Sequence, residues 1–283
     1  MQRCALAFVM IALAAGSAAA QPVAGNPTFA TLDRQDGESK IGASLGWTFF
    51  DVPGPGDLSA LHVDIYGHYV GESGLGGYGI IPLGFAFADN AAPFEDDSES
   101  AIGNVEGGVL YVIPSGMHDF VLRGGITLPT ADDDTGGFAA NLLSMYSARL
   151  TDIALAYPET LWLRLSASPI LRSGQLVFRI DGGLDVALST DNRDEPDPLV
   201  RLNVGGGVDT GSFALLGELV TVGTLGDDNS AADNDEDFLH TLAISARFRA
   251  GSIEPGVALG FPLDESARDI VDFFIIAGLQ GRI

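Results

Sequence analysis

The sequence predicts an all-β chain whose antiparallel strands run up and down and close into a transmembrane barrel of about twelve strands. Three observations predict it. Apolar and polar residues alternate with period two from Lys40 almost to the C-terminal end. The segments between the alternating runs are by turns short and long. A short apolar segment of the kind that directs export stands ahead of them.

That leading segment comes first in the chain. Arg3 supplies a positive start, and Ala5 to Ala15 form an apolar run too short to span a bilayer. Ala18, Ala19 and Ala20 then give a small-residue cleavage site, so residues 1–20 read as a signal peptide and the mature chain begins near Gln21. Cys4 precedes the apolar run rather than standing at the cleavage point, so it is no lipid anchor. It is also the only cysteine, which removes disulfides, thiolate nucleophiles and Cys-ligated metals from the mature chain. Residues 21–39 mix Pro, Gly and charge without periodicity and read as a flexible tail.

Residues 40–283 form the barrel domain. Strands are predicted near 40–52, 58–71, 76–88, 100–113, 117–128 and 159–171, then near 174–189, 198–209, 211–224, 237–250, 251–262 and 269–282. The seventh shows the pattern well. Leu176, Phe178, Ile180, Leu184, Val186 and Leu188 alternate with Gln175, Val177, Arg179, Asp181, Asp185 and Ala187, and a pleated strand sends the two sets to opposite faces. Each run is long enough for the roughly 9–11 residues that a tilted strand needs to cross a bilayer. After the leading segment, no apolar run reaches the length of about 18 residues that a transmembrane helix requires.

Alternation alone fits a soluble sandwich as well, and the connections decide between the two. Ser115-Gly116, Arg172-Ser173, Thr210-Gly211 and Gly251 mark tight turns. Longer segments lie between them, at 91–99, 131–158, 190–198, 226–237 and 264–269. Short turns on one side and long loops on the other are the mark of a membrane barrel. More than half of the 38 acidic residues fall in the long loops, among them Glu95, Asp96 and Asp97, Asp132 to Asp134, and Asp233, Asp235 and Asp237. The outer rim is therefore expected to be negative, with a weak attraction for divalent cations.

One stretch departs from period two. Phe138, Leu142, Tyr146, Leu150 and Ile153 form a helical stripe in the third long loop, with Asp134 or Thr135 to cap its start and Pro158 just past its end. Such a helix either folds into the lumen or packs on the barrel mouth and rim.

The inward phase of the strands carries His62, Asp64, His68, Glu106, Arg123, Arg164, Arg179, Asp181, Asp185, Arg201, Glu218, Arg247 and Glu254. Of these, Glu106, Arg123, Arg164, Arg179, Asp181, Asp185, Arg201 and Glu218 are the candidate lumen and constriction residues. Counting from strand ends sets Glu106 level with Arg123, and Arg164 level with Asp181. Opposed charges across a lumen either create a selective constriction or bridge and close it. About twelve strands leave the choice open, since eight fill with side chains and sixteen leave a channel.

Other chemistry finds little support. A net charge of -24, with 14 basic residues in all, offers no footprint for nucleic acid. His62 and His68 sit about 20 Å apart on one strand at a rise of about 3.3 Å per residue, too far to share a metal. Asp233-x-Asp235-x-Asp237 opens like a calcium loop, but Phe238 stands where glycine must turn the chain. Gly205-Gly206-Gly207 lies mid-strand and opens no helix, so it is no phosphate cradle. His240 faces outward near the rim without a His-x-Ser segment, which leaves a lipid-modifying enzyme as a third choice. No cofactor is implied. Trp47, Phe49, Tyr69, Tyr111 and Phe120 fall near strand ends on the outward phase, as an interfacial belt requires.

The C-terminal Gly278-Leu279-Gln280-Gly281-Arg282-Ile283 resembles the assembly signal of bacterial outer-membrane β-barrel channel proteins, with Ile283 in place of the usual terminal Phe. Gly124-Gly125-Ile126-Thr127-Leu128-Pro129-Thr130, before an acidic loop, is similar to a segment of outer-membrane transporters linked to aromatic-compound degradation. The resemblance implies a barrel in the outer membrane of a Gram-negative cell, in contact with its lipid and passing small solutes passively. A closed structural or surface-interaction barrel is the alternative.

Overall fold

A computed structural model describes residues 26–51, 57–89, 98–115, 118–131, 133–146, 148–190, 196–226 and 238–283. The expected signal peptide, the Asp233 to Asp237 run and most of the acidic loop residues lie outside them.

The strands are β1 (Lys40–Phe50), β2 (Leu58–Val70), β3 (Leu75–Ala88), β4 (Ser98–Ile102), β5 (Val105–Ser115), β6 (His118–Leu128) and β7 (Thr160–Ser173). They continue as β8 (Leu176–Thr190), β9 (Leu199–Asp209), β10 (Phe213–Thr224), β11 (Phe238–Phe248), β12 (Ile253–Pro262) and β13 (Val271–Arg282). Pairing is antiparallel throughout, and β1 pairs with β13 from Lys40↔Arg282 to Phe50↔Val271, which closes the sheet. β4 and β5 both pair with β3 and form one bent stave, so the barrel has twelve staves.

The bend at Gly103 and Asn104 has a cause. Asn104 leaves the ladder to bind the third loop, donating through its backbone N–H to Leu155 O at 2.7 Å and through Nδ2 to Tyr157 O at 2.6 Å. The period-two runs thus match the observed strands closely, and this break is the one place where a predicted stave is two pieces.

The outer face is apolar. Ile41, Leu45, Ile65, Val109, Leu202, Leu215, Leu259 and Leu279 are all exposed around it. Trp47, Phe49, Phe87 and Phe273 stack near the long-loop end, with Trp47 and Phe87 ring centroids 5.7 Å apart and Phe49 and Phe273 4.7 Å apart. Tyr69, Tyr111 and Phe120 are exposed near the short-turn end. Two aromatic girdles around an apolar band are what a bilayer selects, because ring edges tolerate the headgroup region while the band faces acyl chains.

Two segments outside the wall fill the interior. The first is residues 26–39, part of the stretch whose composition reads as a flexible tail. Instead, Asn26 to Asp36 are buried within the barrel, and Phe29 and Leu32 join an interior cluster with Tyr66, Tyr78, Ile80 and Leu110. The lack of periodicity is real, but it reflects a segment held by side chains of the wall rather than by a ladder. The second is the third long loop. Helix α1 (Thr135–Met145) starts at Asp134, whose side chain accepts from Gly137 N at 2.8 Å, and a 3-10 turn at Leu150–Ala156 follows. The loop enters the lumen. Its buried helical face is Ala140, Asn141, Ser144 and Met145, while Phe138, Leu142 and Tyr146 of the expected apolar stripe are half-buried. A polar interior explains the exchange, since small and polar residues satisfy a polar wall better than an apolar stripe would.

Glycines on the inner wall seat both inserts. A Cβ at Gly205 would stand 2.5 Å from the Phe29 ring, and one at Gly84 would stand 2.8 Å from Asn141 Oδ1 and 2.9 Å from Ala140 O. The mid-strand glycines at these positions are required by close approach.

Candidate functional site: the charged lumen

Side chains on the inner phase of the strands meet the two inserts along the barrel axis. All thirteen charged or histidine residues assigned to that phase from sequence are buried inside the barrel. Their partners, however, are not those that counting from strand ends suggests. Glu106 does not pair with Arg123, nor Arg164 with Asp181. Arg164 instead lies against Glu106, at 3.2 Å from Asp152 and at 3.3 Å from Asp185. Arg164 and Asp185 are direct cross-strand partners, in a register that runs unshifted from Ser173↔Leu176 at the Gly174-Gln175 turn. The tight turn expected at Arg172-Ser173 stands at Gly174-Gln175 instead, where Gly174 takes a φ of 61°, and this moves the partner of Arg164 from Asp181 to Asp185.

Arg123 and Arg201 converge on Asp33 of the N-terminal segment, at 2.9 Å and 3.3 Å, and Arg201 also reaches Asp185 at 2.9 Å. Arg179 and Asp181, two apart on β8, pair at 2.6 Å. Glu218 of β10 accepts from Thr31 N at 2.6 Å, Ala30 N at 2.9 Å and Ser245 Oγ at 2.5 Å. The eight candidate lumen residues therefore form three groups. Glu106, Arg164, Asp185, Arg201 and Arg123 are linked through Asp33 and Asp152. Arg179 and Asp181 stand beside them, and Asp181 Oδ2 accepts from Asp33 N at 3.1 Å. Glu218 holds the segment from β10, the neighbour of β9.

Sequence reasoning missed Asp33, Arg34, Asp36, Arg149 and Asp152, because all five lie on the inserts. Arg34 reaches Asp64 at 2.5 Å and stacks on the Tyr66 ring at 4.3 Å. Lys40 pairs with Asp36, and Arg149 with Asp152. A usable signal was present, since Phe29 and Leu32 are conspicuous apolar residues in a stretch otherwise read as solvated tail.

Burial alone would raise the pKa of Asp33, but the guanidiniums of Arg123, Arg201 and Arg179 outweigh it and hold the carboxyl well below the ordinary range. Asp36 is lowered in the same way against burial by Lys40 and His68, and Asp152 by Arg149, Arg164 and Arg34. Asp33, Asp36 and Asp152 are thus held in the charged form by the basic groups beside them.

One trio has the residue types of a hydrolase. His62 lies 3.3 Å from Ser144 Oγ and 2.8 Å from Asp64 Oδ1. All three are shut off from solvent, Ser144 also donates to Asn141 O at 2.9 Å, and Asp64 is held by Arg34. The arrangement fastens α1 to β2. His240, at the rim, pairs with Asp264 at 2.7 Å and ties β11 to the loop before β13.

No protein-family model and no curated protein matches the sequence. Solved structures do share the architecture. An outer membrane channel from Pseudomonas putida F1 superposes with a TM-score of 0.67 at 12% identity, over 92% of this chain and 100% of that one. The NanC porin gives 0.51 at 10% identity over 87% and 100%. The translocator domain of the autotransporter NalP from Neisseria meningitidis gives 0.50 at 9% identity over 89% and 91%. These likenesses concern the fold, and their names span more than one activity. With its apolar girdled exterior, the chain has the fold that these outer-membrane β-barrels share.

Proposed function

We propose that the protein is an outer-membrane channel for passive movement of small solutes, with a charged lumen that narrows the path and inserts that gate it. The observation that carries this reading is how the lumen is filled. Its occupants are not wall strands. They are a segment ahead of β1 and a loop between β6 and β7, both held by ion pairs and hydrogen bonds that water can replace. Likeness in fold to a channel at a TM-score of 0.67 supports it. No catalytic step is part of the proposal.

On this reading Glu106, Arg123, Arg164, Arg179, Asp181, Asp185, Arg201 and Glu218 serve both states. They clamp Asp33, Asp152 and the segment backbone when the path is shut, and they line it when an insert withdraws. The acidic long loops add a negative outer mouth that concentrates cations. The same filled lumen favours a second reading, a closed barrel whose inserts never leave and whose loops serve surface contacts.

Liposome swelling separates the two. Vesicles carrying the refolded protein should swell in small sugars and amino acids and fail to swell in large oligosaccharides. Swelling no faster than protein-free vesicles, from the mature protein and also from a variant lacking residues 26–36, with both barrels shown folded by their heat-modifiable migration, would leave only the closed barrel.

A further inference from the structure

Arg123 of β6 and Arg201 of β9 reach one carboxylate, that of Asp33, at 2.9 Å and 3.3 Å. Both terminal nitrogens of the Arg123 fork are spent on the N-terminal segment. Nη2 donates to Asp33 Oδ1 at 3.0 Å, and Nη1 donates to Gln35 Oε1 at 3.0 Å. Among the described residues, Asp33 is the one ion-pair partner of Arg123. The neighbouring wall arginines keep wall acids of their own: Arg164 has Glu106, Arg179 has Asp181 and Arg201 has Asp185.

The wall positions both guanidiniums without help from the segment. Arg123 lies over the Tyr78 ring at 5.3 Å from its centroid, and its Nε donates to Ser166 Oγ at 3.1 Å. Tyr78 is fixed in turn by its hydroxyl, which donates to Glu106 at 2.5 Å. It also lies close over Gly125, where a Cβ would stand 2.0 Å from the hydroxyl oxygen. Arg201 lies over Gly183, where a Cβ would stand 2.7 Å from the guanidinium carbon, and its Nη2 donates to Asp185 at 2.9 Å. Arg201 Nε is shut off from solvent and has no acceptor among the described residues. The donors thus belong to the wall, while the acceptor comes from a segment that is no part of it. A buried guanidinium without a counter-charge is costly, so a lumen from which the segment has withdrawn needs another acceptor at Arg123.

We propose that Asp33 fills, from within the chain, a seat for the carboxylate of a small organic anion, and that such a solute takes its place when the segment withdraws. The Asp33 carboxylate itself measures the room and the charge, since it already sits between guanidiniums of β6 and β9. A planar carboxylate from solution matches the parallel N–H groups of the Arg123 fork in the same way. The inference rests on the gating reading and gives it a solute class. It also gives the open lumen a sign. With Asp33 in place the seat is neutralised and the acidic mouth governs, whereas withdrawal uncovers a positive site inside.

The test uses the refolded full-length mature protein in detergent, titrated with carbon-13 acetate at an ionic strength held constant with chloride. Asp33→Ala removes the internal carboxylate and keeps both arginines. Asp33→Ala with Arg123→Gln removes both partners, so neither charge of that pair is stranded. Acetate lines should broaden saturably on Asp33→Ala. Affinity should be weaker by about tenfold or more both in wild type, where Asp33 competes, and in the double variant. Absence of saturable broadening on Asp33→Ala, or an affinity matched by either other protein, would overturn the proposal. Should Asp33→Ala fail to fold, a variant lacking residues 26–36 takes its place, with and without Arg123→Gln. Binding is read without ion flow, so a failed seat and a failed channel are told apart.

Discussion

The Asp33 carboxylate lies 2.9 Å from the Arg123 guanidinium, joining the N-terminal segment to the barrel wall across 90 positions of sequence. Arg201 closes on the same carboxylate from β9. Asp33→Asn removes the charge on which both arginines converge, and breaking a buried pair in this way costs about 3–5 kcal/mol. The expected outcome is a folded barrel whose N-terminal segment is cleaved by added protease faster than in wild type. Unchanged protection would show that this pair does not hold the segment.

Acid should release the inserts late. The pKa values of Asp33, Asp36 and Asp152 are lowered by the arginines and the lysine beside them, against the opposing effect of burial. For a depressed carboxylate the stabilisation is complete above its unfolded value, about 3.9, and is lost only as pH falls through the lower folded value. Protection of the N-terminal segment should therefore be the same at pH 7 and pH 5, persist near pH 4, and fail in stronger acid. Loss of protection between pH 7 and pH 5 would contradict this assignment.

The seating glycines offer a cleaner separation of the two inserts. Gly205→Val places a methyl-bearing Cβ against Phe29, and Gly84→Val places one against Ala140 and Asn141. Each variant should keep the barrel, as judged by heat-modifiable migration, and expose only its own insert to proteolysis. Cleavage maps that are identical for the two variants would show that the inserts do not seat independently.

Arg164 is the most heavily shared cation of the lumen, facing Glu106, Asp152 and Asp185 at once. Arg164→Ala leaves three buried carboxylates short of a partner and should cost about 3–5 kcal/mol, read as a lower urea midpoint for the folded barrel. Asp181→Ala should cost less, because it strands one cation, Arg179, which lies within reach of Ser168, rather than three carboxylates.

The wall of this protein is legible in its sequence because a barrel strand has one apolar and one polar face, and the pleat repeats that contrast at every second residue. Leu176 to Thr190 shows it without ambiguity. The same logic sends Arg164 and Asp185 inward correctly. It says nothing about which inward residues meet, since a turn at Gly174-Gln175 rather than Arg172-Ser173 moves the register of β7 and β8, and the bend at Asn104 answers to a distant loop. The inserts were the least legible part. Residues 26–39 form no strand, and their binding depends on complementary charges scattered over β6, β9 and β10, which only the closed barrel brings together.

The central claim is that a conducting path runs through this barrel and is shut by its inserts. Single-channel recording in planar bilayers under a KCl gradient tests it, with the mature protein compared to a variant lacking residues 26–36. The account predicts small or rare cation-selective steps from the mature protein and large, long-lived steps from the shortened one. Silent membranes from a folded, shortened barrel would contradict it.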